Sequence, residues 1–198
     1  MILPIHLLGS PILREDTFDV SPDTPELQGL IDDMIETMHG ARGIGLAAPQ
    51  VGRSERIFVV DVSPMADDFE ETGLAMPEQP MVFLNARILA TGEDESEFEE
   101  GCLSIPDIHE TVFRPDRIEL EWMDRTFTQQ RAWFDGILSR VIQHEYDHVD
   151  GVLFIDHLRP LRRRLLKRRL MDIQEGRVTS DYPMYGHGVG RHEADPTP

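Results

Sequence analysis

An α+β fold is expected for this chain, on three observations. Strand-like segments cluster in the middle of the sequence, helix-period segments lie at both ends, and the two do not alternate as a doubly wound sheet would require. The 198 residues suit one domain with a sizeable core and no need of disulfides. Residues 1–175 are expected to form that single domain, and the aperiodic Gly-, His-, Pro- and Asp-containing stretch 176–198 a loose tail with solvated His187 and His192.

Taken in order, residues 1–8 read as extended and Gly9-Ser10-Pro11 as a turn. A first helix is predicted from Pro25 to about His39, with Thr24 as cap and Pro25 at its first position. Leu27, Leu30, Ile31, Met34 and Met38 make its apolar stripe, and Gly40 and Gly43 end it. GIGLAAPQVG then reads as a glycine-rich loop, and Arg56–Val62 as a buried strand. The acidic stretch around 65–80 reads as a surface loop. Met81–Ala90 and Glu93–Glu99 are predicted to pair around Thr91-Gly92, and Arg117–Met123 and Thr126–Phe134 around Asp124-Arg125. Val152–Ile155 is predicted as a short strand. A last helix runs from about Pro160 to Ile173, with Leu161, Leu165, Leu166, Leu170 and Ile173 as its apolar face; Arg159 makes a poor cap.

Net charge is −18, which argues against a general nucleic-acid binder. The charge is uneven: residues 61–121 hold 17 acidic and 3 basic residues, whereas 159–169 hold seven basic and no acidic ones. The opening MILPIHLL lacks a basic leader and is cut off by Gly9-Ser10-Pro11, and no later run approaches a membrane span. With a single cysteine, Cys102, a reducing, cytoplasmic setting is expected.

The chemistry is expected in the helix-like stretch GILSRVIQHEYDHVDG, residues 136–151. His144 and His148 stand four residues apart, so a helix places them on one face, one turn apart. Two such imidazoles can converge on one metal ion, with Glu145 to handle protons of an activated water. A polar helix with two chance histidines is the competing reading. Ile137 and Val141 continue the face as an apolar strip, either core or pocket wall. A third ligand is needed to leave one open position. Cys102 in EEGCLSIP is the best candidate, against an inert buried thiol.

Three stretches in order resemble the peptide deformylase family: Gly43-Ile-Gly45-Leu-Ala-Ala-Pro-Gln50, Glu100-Gly-Cys102-Leu-Ser104 and Gln143-His144-Glu-Tyr-Asp147-His148. The likeness extends from PILR near the N-terminus to VLFIDHLRPLRR, about residues 1–172. It implies antiparallel and mixed sheets around a central metal-bearing helix, with helices near both ends. It implies hydrolysis of the N-formyl group of newly made proteins, releasing formate. By resemblance, Cys102, His144 and His148 ligate one divalent ion per chain. Fe²⁺ is typical of the family, with Zn²⁺, Ni²⁺ or Co²⁺ able to replace it. Glu145 is the proton carrier, and the Gln50 amide and Leu103 N–H bind the oxyanion.

The methionine pocket and peptide groove are expected to involve Gly43, Ile44, Gly45, Glu100, Gly101, Ile137 and Val141. His109 stands where many deformylases have an arginine. Asp147 and Arg114 are expected to pair and steady the helix. The partners implied are N-formyl-methionyl nascent peptides and, through the basic segment Arg159–Arg169, the ribosome, with no membrane and no DNA; balancing the protein's own acidic surface is the other reading of that segment. A zincin-type endopeptidase, which shares H-E-x-x-H, is the alternative enzyme. A non-catalytic metal-binding or ribosome-associated module is the alternative outside catalysis.

Overall fold

A computed structural model describes residues 1–21, 24–67, 69 and 75–186. Its centre is a five-stranded antiparallel sheet in the order β2-β3-β4-β7-β8, from Gly45–Ala47, Ile57–Val60, Met81–Thr91, Arg117–Met123 and Gln129–Asp135. Alternation along the strands sends side chains to two faces. Leu46, Ile57 and Val59 pack with helix α1 (Pro25–Gly40) through Leu27, Ile31, Met34 and Met38. Ala47, Phe58 and Val60 pack with helix α2 (Gly136–Val149) through Leu138, Val141 and Ile142. The H-E-x-x-H helix is therefore a core element, held against the sheet along one side.

A two-stranded ribbon, β5 (Glu95–Cys102) and β6 (Ile105–Pro115), stands apart from this sheet. It packs on helix α3 (Pro160–Gln174) and the N-terminal segment, where Leu7, Ile105, Val112, Phe154, Leu166 and Leu170 form a third apolar cluster. Thr24 caps α1 by accepting from Leu27 N–H at 3.2 Å, as its sequence predicts.

Several expectations are corrected. The Glu93–Glu99 segment does not fold back on β4, whose Arg87–Thr91 stretch pairs with β7 instead. Its partner is β6, where inward-facing Glu110 and Arg114 interrupt the apolar alternation that would have signalled a strand. Pro106 lies in the register shift between the Gly101–His109 and Cys102–Ile105 pairs, where no ladder donor is required. The 117–135 hairpin forms, but its turn spans Asp124 to Thr128 and its second strand begins only at Gln129, because the Asp124 carboxylate accepts from the Thr126 and Thr128 N–H groups and holds a wider turn.

The expected strand at 152–155 is instead a 3-10 turn, Phe154–Asp156, fixed by the Asp156 carboxylate accepting from Leu153 N–H at 2.9 Å. On α3 only Leu166, Leu170 and Ile173 are buried; Leu161 and Leu165 are 72% and 67% exposed, one ridge off the packed stripe. The segment 177–186 does not behave as a loose tail: β9 (Met184–Tyr185) pairs in parallel with β1 (Ile5–His6). His187 and His192 lie outside the described residues, as does part of the acidic 65–80 stretch. Among the described residues no helix is long and apolar enough to cross a membrane.

Candidate metal centre and its cleft

Three elements deliver the three ligating side chains. His144 and His148 rise from successive turns of α2 with ring centroids 5.1 Å apart, and Cys102 ends β5 at a tight turn facing them. Cys102 Sγ, a nitrogen of His144 and a nitrogen of His148 all lie within 4.8 Å of one another, and Sγ is 3.2 Å from His148 Nε2. One sulfur and two imidazole nitrogens at this spacing fit a single divalent ion with room for a further ligand. Burial alone would raise the Cys102 thiol, but His148 and His144 pull it down to about 5, so the thiolate a metal needs is favoured.

Glu100 fixes the first histidine. Its Oε2 lies 3.0 Å from His144 Nδ1, and since a carboxylate only accepts, Nδ1 carries the proton and Nε2 is left for the metal. Burial would raise the Glu100 carboxyl, but the hydrogen bonds from His144 and Arg114 outweigh it and hold it well below the usual carboxylate range. Arg114 also donates to Asp147 at 2.7 Å, confirming the expected pair, and His157 Nε2 meets the same Asp147 oxygen at 2.7 Å. Glu100, expected in the substrate groove, lines the cleft, and its oxygens are engaged by Arg114, Arg140 and His144.

The sequence-named residues converge on a cleft of about 500 Å³. Ile44, Ile137 and Val141 form apolar wall beside Gly43, Gly45 and Gly101; Gln50, Leu103, His109, His144 and Glu145 also face it. His148 alone does not line the cleft and sits behind Cys102, 1% exposed. Glu145 lies against Gly45, where a Cβ would overlap its carboxylate. Burial pushes its carboxyl up to about 7, opposed by the charges of His144 and His148, and its Oε2 is buried without a hydrogen-bond partner among the described residues. Gln50 Oε1 accepts from Ala47 N–H at 2.9 Å, which turns its amide nitrogen inward, 3.3 Å from Ser104 Oγ and 3.6 Å from Cys102 Sγ.

Three contributors escaped the sequence. Arg140 is buried at −4 from His144 and donates to Glu100 at 3.1 Å and to the Val112 carbonyl at 3.1 Å. Its position on the histidine face of α2 was the available signal. His157 and Tyr182 carried none, since each reaches the site through contacts distant in sequence.

The family model for polypeptide deformylase matches residues 2–164. A peptide deformylase of Salinibacter ruber is 56% identical over 184 residues, covering 93% of this chain and 94% of that protein. One from Flavobacterium johnsoniae is 44% identical over 190 residues, covering 93% and 95%. Among solved structures, the Legionella pneumophila peptide deformylase superposes with a TM-score of 0.77 at 36% identity, covering 91% of this chain and 99% of that one. The Ehrlichia chaffeensis enzyme gives 0.78 at 30% identity, covering 87% and 96%. With a matching sequence family, a shared fold and a Cys-His-His centre beside a buried glutamate, the chain belongs to the polypeptide deformylase family.

Proposed function

We propose that Cys102, His144 and His148 hold one divalent ion per chain and that Glu145, Gln50 and Leu103 carry out the remaining chemistry. The reaction is that of the family: hydrolysis of the formyl amide on the N-terminal methionine of newly made proteins, with release of formate. The bound ion supplies Lewis acidity toward the formyl carbonyl and a nucleophile at neutral pH. Glu145 accepts a proton at Oε2 and delivers it to the departing amine nitrogen, and its burial, which disfavours the charged form, favours proton uptake. The inward amide of Gln50 and the N–H of Leu103 donate to the oxyanion, and loss of one such donor costs about 3–4 kcal/mol.

Ile44, Ile137 and Val141 receive the methionine side chain, and the backbones of Gly45 and Gly101 flank the extended peptide. His109, opposite Gly101 across the ribbon, faces the later residues of the peptide. The observation that carries this assignment is the placement of Glu145 and the inward Gln50 amide in one cleft with the metal triad, since a metal store needs neither a proton carrier nor an oxyanion donor. Fe²⁺ is the ion expected from the resemblance, which also allows Ni²⁺ or Co²⁺, while by ligand softness a Cys-His-His set suits Zn²⁺ at least as well. Metal analysis of an anaerobic preparation identifies it. Incubation with formyl-Met-Ala-Ser and with an internal peptide tests the reaction: formate without fragments supports deformylation, and fragments without formate favour the endopeptidase reading.

A second reading concerns α3. Leu161 and Leu165 are exposed beside Arg164, Lys167 and Arg168, for which no ion-pair partner is found among the described residues. An apolar and cationic face of this kind suits ribosomal RNA close to the emerging nascent chain, and a cytoplasmic site of action follows from that substrate.

A further inference from the structure

The strap 177–186 lies beyond residue 164, where the family match ends, yet Thr179 to Tyr182 line the cleft. It is anchored on the N-terminal segment: Ile5 N–H donates to the Pro183 carbonyl and Leu7 N–H to the Tyr185 carbonyl, each at 2.9 Å, alongside the β1–β9 pairing. An ion pair between Arg42 and Asp181 ties it to the loop before Gly43.

The strap and the N-terminal segment meet at the turn that carries the thiol. Cys102 and Ile105 face each other across this turn, so Leu103 and Ser104 are its two central residues. Tyr182 donates its hydroxyl proton to the Leu103 carbonyl at 2.8 Å, and Leu8 N–H donates to the Ser104 carbonyl at 2.9 Å. Gln50 reaches Ser104 Oγ from the third side at 3.3 Å. With the Leu103 carbonyl held by the strap and the Ser104 carbonyl by the N-terminal segment, the turn is restrained against shifting as a unit relative to the cleft.

We propose that Tyr182 is a positioning residue for this turn: its hydroxyl, carried on the anchored strap, holds the Leu103 carbonyl so that the Leu103 N–H keeps facing the oxyanion. The inference rests on the deformylase reading of Leu103 given above. Tyr182 touches no reacting atom and acts only through the Leu103 backbone.

The test uses the full-length, metal-loaded chain and its Tyr182→Phe variant, which keeps the ring and removes the donor. For formyl-Met-Ala-Ser, kcat is expected to fall about three- to tenfold, the worth of one neutral hydrogen bond. KM, metal content and inhibition by the product Met-Ala-Ser, which has no formyl carbonyl, are expected to stay at wild-type values, and the melting temperature to fall by no more than about 2–4 °C, the stability worth of that one bond. Tyr182→Ala is expected to show the same fall in kcat together with a lower melting temperature, because it also loses the ring. A Phe variant with wild-type kcat, or one whose loss of activity merely tracks loss of metal or of folded protein, overturns the inference. A wild-type chain that releases no formate overturns the deformylase reading and this inference with it, so the two failures are told apart.

Discussion

Arg114 holds both carboxylate oxygens of Glu100, at 2.7 and 3.0 Å, while Glu100 holds His144 Nδ1 at 3.0 Å. The His144 ring is thus oriented by an ion pair on the β5–β6 ribbon, with both partners 4% exposed. Asp147 and His157 extend the chain of contacts back to α2 and the segment after it.

Arg114→Ala leaves Glu100 and Asp147 short of a cation in a buried setting, and it is expected to destabilise the fold by about 3–5 kcal/mol. Denaturant unfolding of the metal-free protein measures this without interference from metal binding. A loss below about 1 kcal/mol, the range of surface pairs, would mean that the network is dispensable.

The same network sets an acid limit. Glu100 and Asp147 both titrate below their ordinary values of 4.5 and 3.8: burial opposes this in each, and hydrogen bonds and charge from His144, Arg114 and His157 prevail. The unfolded chain therefore binds more protons than the native one below those values, so stability present at neutral pH is lost as pH falls through the acid range. The denaturant midpoint is expected to drop on acidification below about pH 4.5 and to drop less steeply in Glu100→Gln. Equal slopes in the two proteins would contradict this.

Gly45 has a requirement that its place in a strand does not reveal. A Cβ there would overlap the Glu145 carboxylate, so Gly45→Ala is expected to displace the proton carrier while leaving the sheet intact. A displacement on the order of 1 Å at a reacting group costs about 10²-fold, here read in kcat/KM at unchanged metal content. A variant at wild-type rate would show that Glu145 does not act from its observed position.

On α3, several arginines are committed within the molecule: Arg162 to Glu110, Arg163 to Asp156 and Arg169 to the Asp107 carbonyl. Reversing those would disturb the fold as well as any docking. Changing Arg164, Lys167 and Arg168 to Glu is expected to weaken sedimentation with ribosomes and flatten its salt dependence, with deformylase activity on a short peptide unchanged. Unaltered sedimentation would leave α3 as a surface that only balances the acidic body.

The sequence exposed the site better than the fold around it. His144, Glu145 and His148 were legible because helical spacing alone puts them together; Cys102 was open between ligand and inert thiol until the deformylase-like motifs were taken together. The pairing of β5 with β6 was not legible, since among the apolar inward positions of β6 stand Glu110, paired with Arg162, and Arg114, paired with Glu100. For the same reason Glu100 read as a groove residue: its partners Arg114, Arg140 and His144 lie 14 to 44 residues away. The strap was invisible because its attachment depends on backbone pairing with β1, which composition does not encode.

The account turns on Glu145 as proton carrier in a cleft built around the Cys102-His144-His148 centre. Formate release by Glu145→Gln, at metal content matched to wild type, tests it most directly. The expected result is retained metal and a rate lower by about 10²- to 10⁴-fold. Formate release near the wild-type rate at equal metal content would contradict the account.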